Sequence, residues 1–327
     1  MLQPDGRAIA GAADIIRRGG LVAFPTETVY GLGAAATNPL AVERIFQVKG
    51  RPADNPLIVH VSGREQVGAV AASVSEMAEQ LMNHFWPGPL SLILPRSPVV
   101  PQSVSAGLPT VAVRMPDHPA ALQLINAAGV PLAAPSANRS GRPSPTTARH
   151  VLKDLAGRID AVLDGGPCMI GVESTVLDIT GSEPLILRPG AVTAAELESV
   201  LGCFVRYARW ENGPPPSPGM KYRHYAPRAA LILITGLPRR RERLTQSLAA
   251  YFRRRGFRVG LLDLSTSACG GDPFADAERA ARYLYRALRA FDARGTEIIL
   301  AQELPDQGLG VAVMNRLTKA AARIIKA

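Results

Sequence analysis

The sequence predicts an α/β protein in two parts: a twisted mixed sheet over residues 1–210 and a small parallel sheet over residues 228–327. Three observations predict it. In the first part, short apolar strands joined by turns mingle irregularly with helices, which favours mixed strand directions over a strict βαβ array. The run Gly213-Pro214-Pro215-Pro216-Ser217-Pro218 then breaks regular structure. Beyond it, strands and helices follow in βαβαβα order, the pattern of a small Rossmann-like sheet. That sheet lacks G-x-G-x-x-G after its first strand, so it carries no dinucleotide fingerprint.

Charge divides the chain at the same place. Residues 1–227 hold 19 Lys and Arg against 18 Asp and Glu, and the remaining 100 residues hold 18 against 9. The second part therefore attracts polyanions in principle, although an Arg-rich solvated surface explains the same numbers. No apolar run reaches the ~18 residues of a membrane span, and the N-terminus shows no export signal. Cys168, Cys203 and Cys269 form no C-x-x-C and suit a reducing cytoplasm. The five histidines show no metal-ligand spacing, so no permanently bound metal is expected.

In order, residues 6–19 read as an amphipathic helix closed by Gly19-Gly20. Strand 21–24 enters the segment on which the first part is organised. There Thr26-Glu27-Thr28 turns the chain, and Gly31 and Gly33 permit a close backbone approach. A helix over 39–48 runs into Lys49-Gly50-Arg51-Pro52, with Asn55 and the strand 57–61 behind it. Two cations on a Gly/Pro loop suit an anionic ligand, though alone they read as a solvated turn. Helices follow over 63–72 and 75–84, the second capped by Ser75. Strands follow at 90–94 and 110–114, the latter ending in Arg114, with a Pro/Gly/Ser loop over 98–108 between them.

A helix over 120–128 leads to the strand 131–134 and to Pro135-Ser136-Ala137-Asn138. Residues 139–147 are too rich in Gly, Pro, Ser and Thr for regular structure. A helix at 148–155, strands at 161–163, 174–179 and 185–188, and a helix at 194–201 capped by Thr193 complete the first part. Ser217 to Pro227, SPGMKYRHYAP, carries aromatic and cationic residues that a spacer does not need, and reads as a strap. The second part has strands at 231–235, 258–262 and 297–301, with helices at 239–255, 276–293 and 311–325.

No Walker A or G-x-S-x-G motif is present. What the chain offers is a set of cations and small hydroxyls at strand ends. Such groups bind phosphates and carboxylates, with Arg as a bidentate fork and Lys as a point charge. Phosphoryl chemistry needs mainly positioning and charge stabilisation, so the missing nucleophile fits nucleotidyl transfer and a pure binding module equally. Glu27 lies in the turn as a possible base, with no geometry to support it.

Several motifs together resemble the YrdC-type threonylcarbamoyl-AMP synthases. They are Pro25–Gly33 (PTETVYGLG), Lys49 and Arg51 with Asn55-Pro56-Leu57, Trp86-Pro87-Gly88-Pro89, Pro135–Asn138, Glu173–Val176 and Arg188-Pro189-Gly190. The strap and Gly308-Leu309-Gly310…Asn315-Arg316-Leu317 are similar to the long, two-domain form. The resemblance implies a YrdC-like catalytic domain with a large ligand cavity over 1–210, a strap over 211–227, and a Rossmann-like domain over 228–327. It implies a nucleotidyltransferase that joins L-threonine, bicarbonate and ATP, with Mg²⁺ on the ATP phosphates, and releases pyrophosphate. The product would pass to the machinery that threonylcarbamoylates tRNA.

By the same resemblance, Lys49 and Arg51 are the catalytic cations. They share ATP with Asn55, Thr110, Ser136, Asn138, Ser144, Arg188 and Tyr225. Thr28, His60, Arg114, Ala134 and Ser174 hold threonine. Taken singly, Arg114 and Arg188 read as surface cations and His60 as a core histidine. A module binding double-stranded RNA or tRNA through the basic region is the alternative. A role in hydrogenase maturation is weakened by the missing zinc-finger and acylphosphatase-like segments.

Overall fold

The structure, a computed structural model, describes residues 1–208, 217, 224–264 and 277–327. Residues 218–223 of the strap and most of the Pro-rich run lie outside the described residues. The chain divides into two compact units, Met1–Ser140 with Ser144–Lys221, and Gly141–Pro143 with Tyr222–Ala327.

The first unit is built on a ten-stranded mixed sheet. Its strands are β1 (Val22–Phe24), β2 (Gly31–Ala35), β3 (Ile58–His60), β4 (Leu90–Pro95), β5 (Thr110–Arg114), β6 (Leu132–Ala133), β7 (Ala161–Val162), β8 (Thr175–Asp178), β9 (Leu185–Arg188) and β10 (Arg206–Tyr207). They lie in the order β10-β9-β8-β4-β5-β3-β6-β2-β1-β7. Its helices are α1 (Gly6–Arg17), α2 (Pro39–Lys49), α3 (Val67–Val70), α4 (Glu76–Phe85), α5 (Gln102–Ser105), α6 (Pro119–Ala128), α7 (Ala148–Leu155) and α8 (Ala194–Leu201).

Side chains alternate across a strand, so the sheet has two distinct faces. One face buries Val59, Leu92, Val113 and Leu177 under α2, α3, α4, α7 and α8, which supply Ile45, Val70, Leu81, Val151 and Leu197. The other face is split. Its β1-β2-β6 half is covered by α1 and α6 through Ile16, Ala121, Leu124 and Leu132. Its β3-β5-β4-β8-β9 half carries a small cluster drawn from strands alone: Ile58, Ile93, Ala112, Val176 and Leu187.

Caps match their residues. Asn38, Ser75 and Thr193 each accept a backbone N–H at a helix start, and Thr193 forms a capping box with Glu196. The helix expected over 63–72 is a 3₁₀ turn, Arg64–Gln66, running into the short α3. The loop expected over 98–108 contains α5. Gly31 and Gly33 do make a close approach, to the Phe24 ring across the β1-β2 pair. A Cβ on Gly33 would lie 2.8 Å from Phe24 Cε1.

The second unit is a four-stranded parallel sheet. It comprises β11 (Ala230–Thr235), β12 (Val259–Leu262), β13 (Ile298–Gln302) and β14 (Arg323–Lys326), in the order β12-β13-β11-β14. The helices are α9 (Pro238–Arg254), α10 (Ala277–Ala293) and α11 (Leu309–Ala320). Here the sequence reading needs one correction. The expected helix over 311–325 stops at Ala320, and Arg323–Lys326 becomes a fourth strand paired with β11. The β-branched pair Ile324-Ile325 suits an extended chain, and pairing with β11 gives it one. Within this unit Asp292 accepts from Arg228 N at 2.7 Å and pairs with Arg142 at 3.1 Å, while Arg289 donates to Pro143 O.

Candidate active site

Register brings the strand-end residues together. His60 pairs with Arg114 across β3 and β5, and Ile93 pairs with Ala112 across β4 and β5. By alternation, Thr110 and Arg114 share the face of Ala112, His60 that of Ile58, and Ser91 that of Ile93. Arg188 pairs with Val176 beside a register shift in the β8-β9 pair. A bulge of this kind re-aims a side chain, and here it turns Leu187 and Arg188 toward the same face. Polar groups thus ring the strand-only apolar patch.

Arg114 is 3 % exposed. Its Nε donates to Gly88 O at 3.1 Å and its Nη1 to Thr28 Oγ1 at 3.0 Å. Its Nη2 touches Glu27 Oε1 at 2.5 Å, but off the hydrogen-bond line, so no acceptor among the described residues is aligned on Nη2. A buried guanidinium with five N–H donors and unallocated ones among them suits a carboxylate ligand. His60 is 4 % exposed, and its ring meets Phe24 edge-on at 5.9 Å. Burial first, and the Arg114 charge second, lower its pKa to about 3, so the imidazole is neutral. Burial likewise pushes the Cys168 thiol up and His118 down.

Arg188 Nη2 donates to Ser174 O at 2.9 Å and to Ser174 Oγ at 3.0 Å, and Ser174 Oγ meets Ser91 Oγ at 2.8 Å. Gly190 makes this possible. A Cβ there would lie 2.2 Å from Thr175 N and 2.3 Å from Ser174 C.

A second set surrounds the end of α2. Lys49 Nζ donates to the carbonyls of Ser136 and Asn138, and Ser136 Oγ donates to Asn138 Oδ1. Arg51 folds back on its own loop, from Nε to Asn55 O at 3.1 Å and from Nη2 to Pro56 O at 2.7 Å. The Asn55 amide is 1 % exposed, yet neither of its polar atoms has a partner among the described residues. Ser144 Oγ donates to Glu173, and Ala134 N donates to Ile58 O at 2.9 Å.

Tyr225 belongs to the second unit. There it adopts φ 64°, stacks on Tyr285 at 5.6 Å and lies 5.4 Å from the Arg316 guanidinium. Sequence reasoning passed over Ser91 and Glu173 and gave Glu27 no role. A lone serine in an apolar strand leaves no signal, whereas two carboxylates inside otherwise uncharged motifs do. The Asp164-Gly165-Gly166 segment is a turn, closed by Gly166 N on Asp164 Oδ1 at 3.1 Å and by Tyr30 Oη on Gly166 O at 2.7 Å.

A mixed sheet with buried cations and small hydroxyls along one face defines a binding site for a ligand that carries phosphate or carboxylate groups. Comparison with known proteins carries this further. A family profile described as telomere recombination, the Sua5/YciO/YrdC family, matches residues 14–190, and one described as threonylcarbamoyl-AMP synthase, C-terminal domain, matches residues 192–322. The threonylcarbamoyl-AMP synthase of Pyrococcus abyssi is 50 % identical over 96 % of this chain and 94 % of its own length. That of Bacillus subtilis is 49 % identical over 97 % and 94 %. The crystal structure of P. abyssi Sua5 complexed with L-threonine superposes with a TM-score of 0.93, at 49 % identity, covering 99 % of this chain and 97 % of that one. The chain belongs to the two-domain, Sua5-type threonylcarbamoyl-AMP synthase family.

Proposed function

We propose that the strand-end site of the first unit condenses L-threonine, bicarbonate and ATP into threonylcarbamoyl-AMP and pyrophosphate, for the N6-threonylcarbamoylation of tRNA adenosine. The observation that carries the assignment of substrates to residues is Arg114, a buried guanidinium with unallocated donors on a face lined by small hydroxyls. Arg114 clamps the threonine carboxylate, and Thr28, His60, Ser174 and the backbone at Ala134 enclose the rest of the amino acid. A neutral His60 makes a hydrogen bond to a hydroxyl without repelling an ammonium.

Lys49, Arg51, Asn55, Thr110, Ser136, Asn138, Ser144, Arg188 and Tyr225 are assigned to ATP. We assign residues 1–210 to catalysis, 211–227 to the strap and 228–327 to the C-terminal domain. The threonine amine and bicarbonate form a carbamate, whose oxygen attacks the α-phosphorus in line as pyrophosphate departs. Among the described residues no group of three or more His, Cys, Asp or Glu side chains could hold a metal. Mg²⁺ would come with the ATP phosphates and would neutralise their charge. Pyrophosphate release from ATP should require both threonine and bicarbonate, and release in the absence of either would overturn the reading.

A further inference from the structure

We infer that Glu27 receives the ammonium of the amino acid and takes a proton from it, freeing the nitrogen to attack bicarbonate. The inference rests on the reading of Arg114 as the carboxylate clamp. Glu27 is 7 % exposed and touches Arg114 Nη2, yet no donor among the described residues is aligned on either carboxylate oxygen. An ionised carboxylate has about four acceptor sites, and leaving them empty in a buried place is costly.

The neighbouring hydroxyls are already committed. Thr26 Oγ1 donates to Val29 O at 2.6 Å, so in the 2.8 Å contact between the two hydroxyls Thr28 is the donor. Thr28 Oγ1 in turn accepts from Arg114 Nη1. Neither hydroxyl has a proton left for Glu27. The Cys168 thiol, held protonated by burial and by the Glu27 charge, is a weak donor. Beyond the Arg114 contact, the Glu27 oxygens are open to strong donors that an incoming ligand can bring.

An α-amino acid brings three of them. Its ammonium nitrogen is two bonds from its carboxylate carbon. A carboxylate held on the Nη groups of Arg114 therefore puts the ammonium within hydrogen-bond reach of a carboxylate touching the same guanidinium. The ammonium gives one proton to Glu27. The nitrogen lone pair then forms the N–C bond to bicarbonate, and a second N–H proton joins the departing hydroxyl as water. A carbamate remains, and the proton on Glu27 later returns to solvent.

The test compares L-threonine with 3-hydroxybutyrate, which keeps the carboxylate and hydroxyl but has no amine. Calorimetric titrations are run on the full chain, on Glu27→Gln and on Glu27→Asp. Glu27→Gln should weaken threonine binding roughly ten- to a hundredfold, the worth of a charge-assisted hydrogen bond, and leave 3-hydroxybutyrate within about twofold. Glu27→Asp, which keeps the charge, should retain part of the preference for threonine and decides the matter if the Gln variant does not fold. Equal weakening of both ligands in the variants would reduce Glu27 to a support for Arg114 and overturn the inference. So would variants that keep the full preference. An unaltered chain that binds neither ligand would overturn the reading of Arg114 as well.

Discussion

His60 stands directly opposite Arg114 in the parallel register of β3 and β5. The pairing sets a neutral imidazole beside a guanidinium, and both side chains are nearly sealed from water.

The first prediction follows from that pair. The folded pKa of His60, about 3, lies below its ordinary value of 6.5. The unfolded chain therefore binds this proton first as pH falls. The stability contributed by neutral His60 is present in full above about pH 6.5 and is lost as pH falls toward 3. NMR titration should show no protonation of His60 between pH 8 and pH 5, and His60→Gln should flatten the acid limb of the stability profile. A His60 that titrates near 6.5 in the folded chain would contradict this.

Asn55 yields a prediction of opposite signs. Its buried amide makes no hydrogen bond among the described residues, which penalises the free protein. Asn55→Leu, similar in size, should raise stability by about 1 kcal/mol and lower ATP turnover. Denaturant unfolding and initial rates read the two effects separately. A variant less stable than the original would show that the amide already has its partners.

Lys49 anchors a loop as well as carrying charge. Lys49→Met removes a charged donor from the carbonyls of Ser136 and Asn138, the first of which keeps Asn138 N at 3.0 Å. It should cost about 1–3 kcal/mol of stability and raise the KM for ATP roughly tenfold or more. Threonine affinity, measured without ATP, should hold. Equal loss of both affinities would place Lys49 in a general structural role.

Gly190 admits no side chain. Gly190→Ala sets a methyl 2.2 Å from Thr175 N, so the backbone carrying Ser174 and Arg188 must shift. About 1–3 kcal/mol of destabilisation is expected, with loss of activity beyond what unfolding explains. An Ala variant of normal stability and activity would mean that the two segments separate freely.

Much of this was legible in the sequence because its signals are local. Asn38, Ser75 and Thr193 cap where their side chains can reach a backbone N–H. Lys49, Ser136 and Asn138 lie in motifs that the family resemblance marks, although the Lys49 loop alone reads as a solvated turn. Arg114 and Arg188 were readable as strand-end cations, but taken singly they read as surface groups, and the fold buries both. The bonds they make were not readable, because Thr28 and Ser174 are brought to them by sheet register. Glu27 was visible yet without a role, since its lack of donors appears only once Thr26, Thr28 and Arg114 are placed around it. At the C-terminus the expected helix ran through Ile325, and the pairing of Arg323–Lys326 with β11 was not visible in a local pattern.

The most direct test of the central claim is mass spectrometry of the products from purified protein, ATP, Mg²⁺, bicarbonate and L-threonine, with each component omitted in turn. Threonylcarbamoyl-AMP should form only with every substrate present, and Arg114→Ala should abolish it. Product that forms without added threonine, or that persists undiminished in Arg114→Ala, would contradict the account.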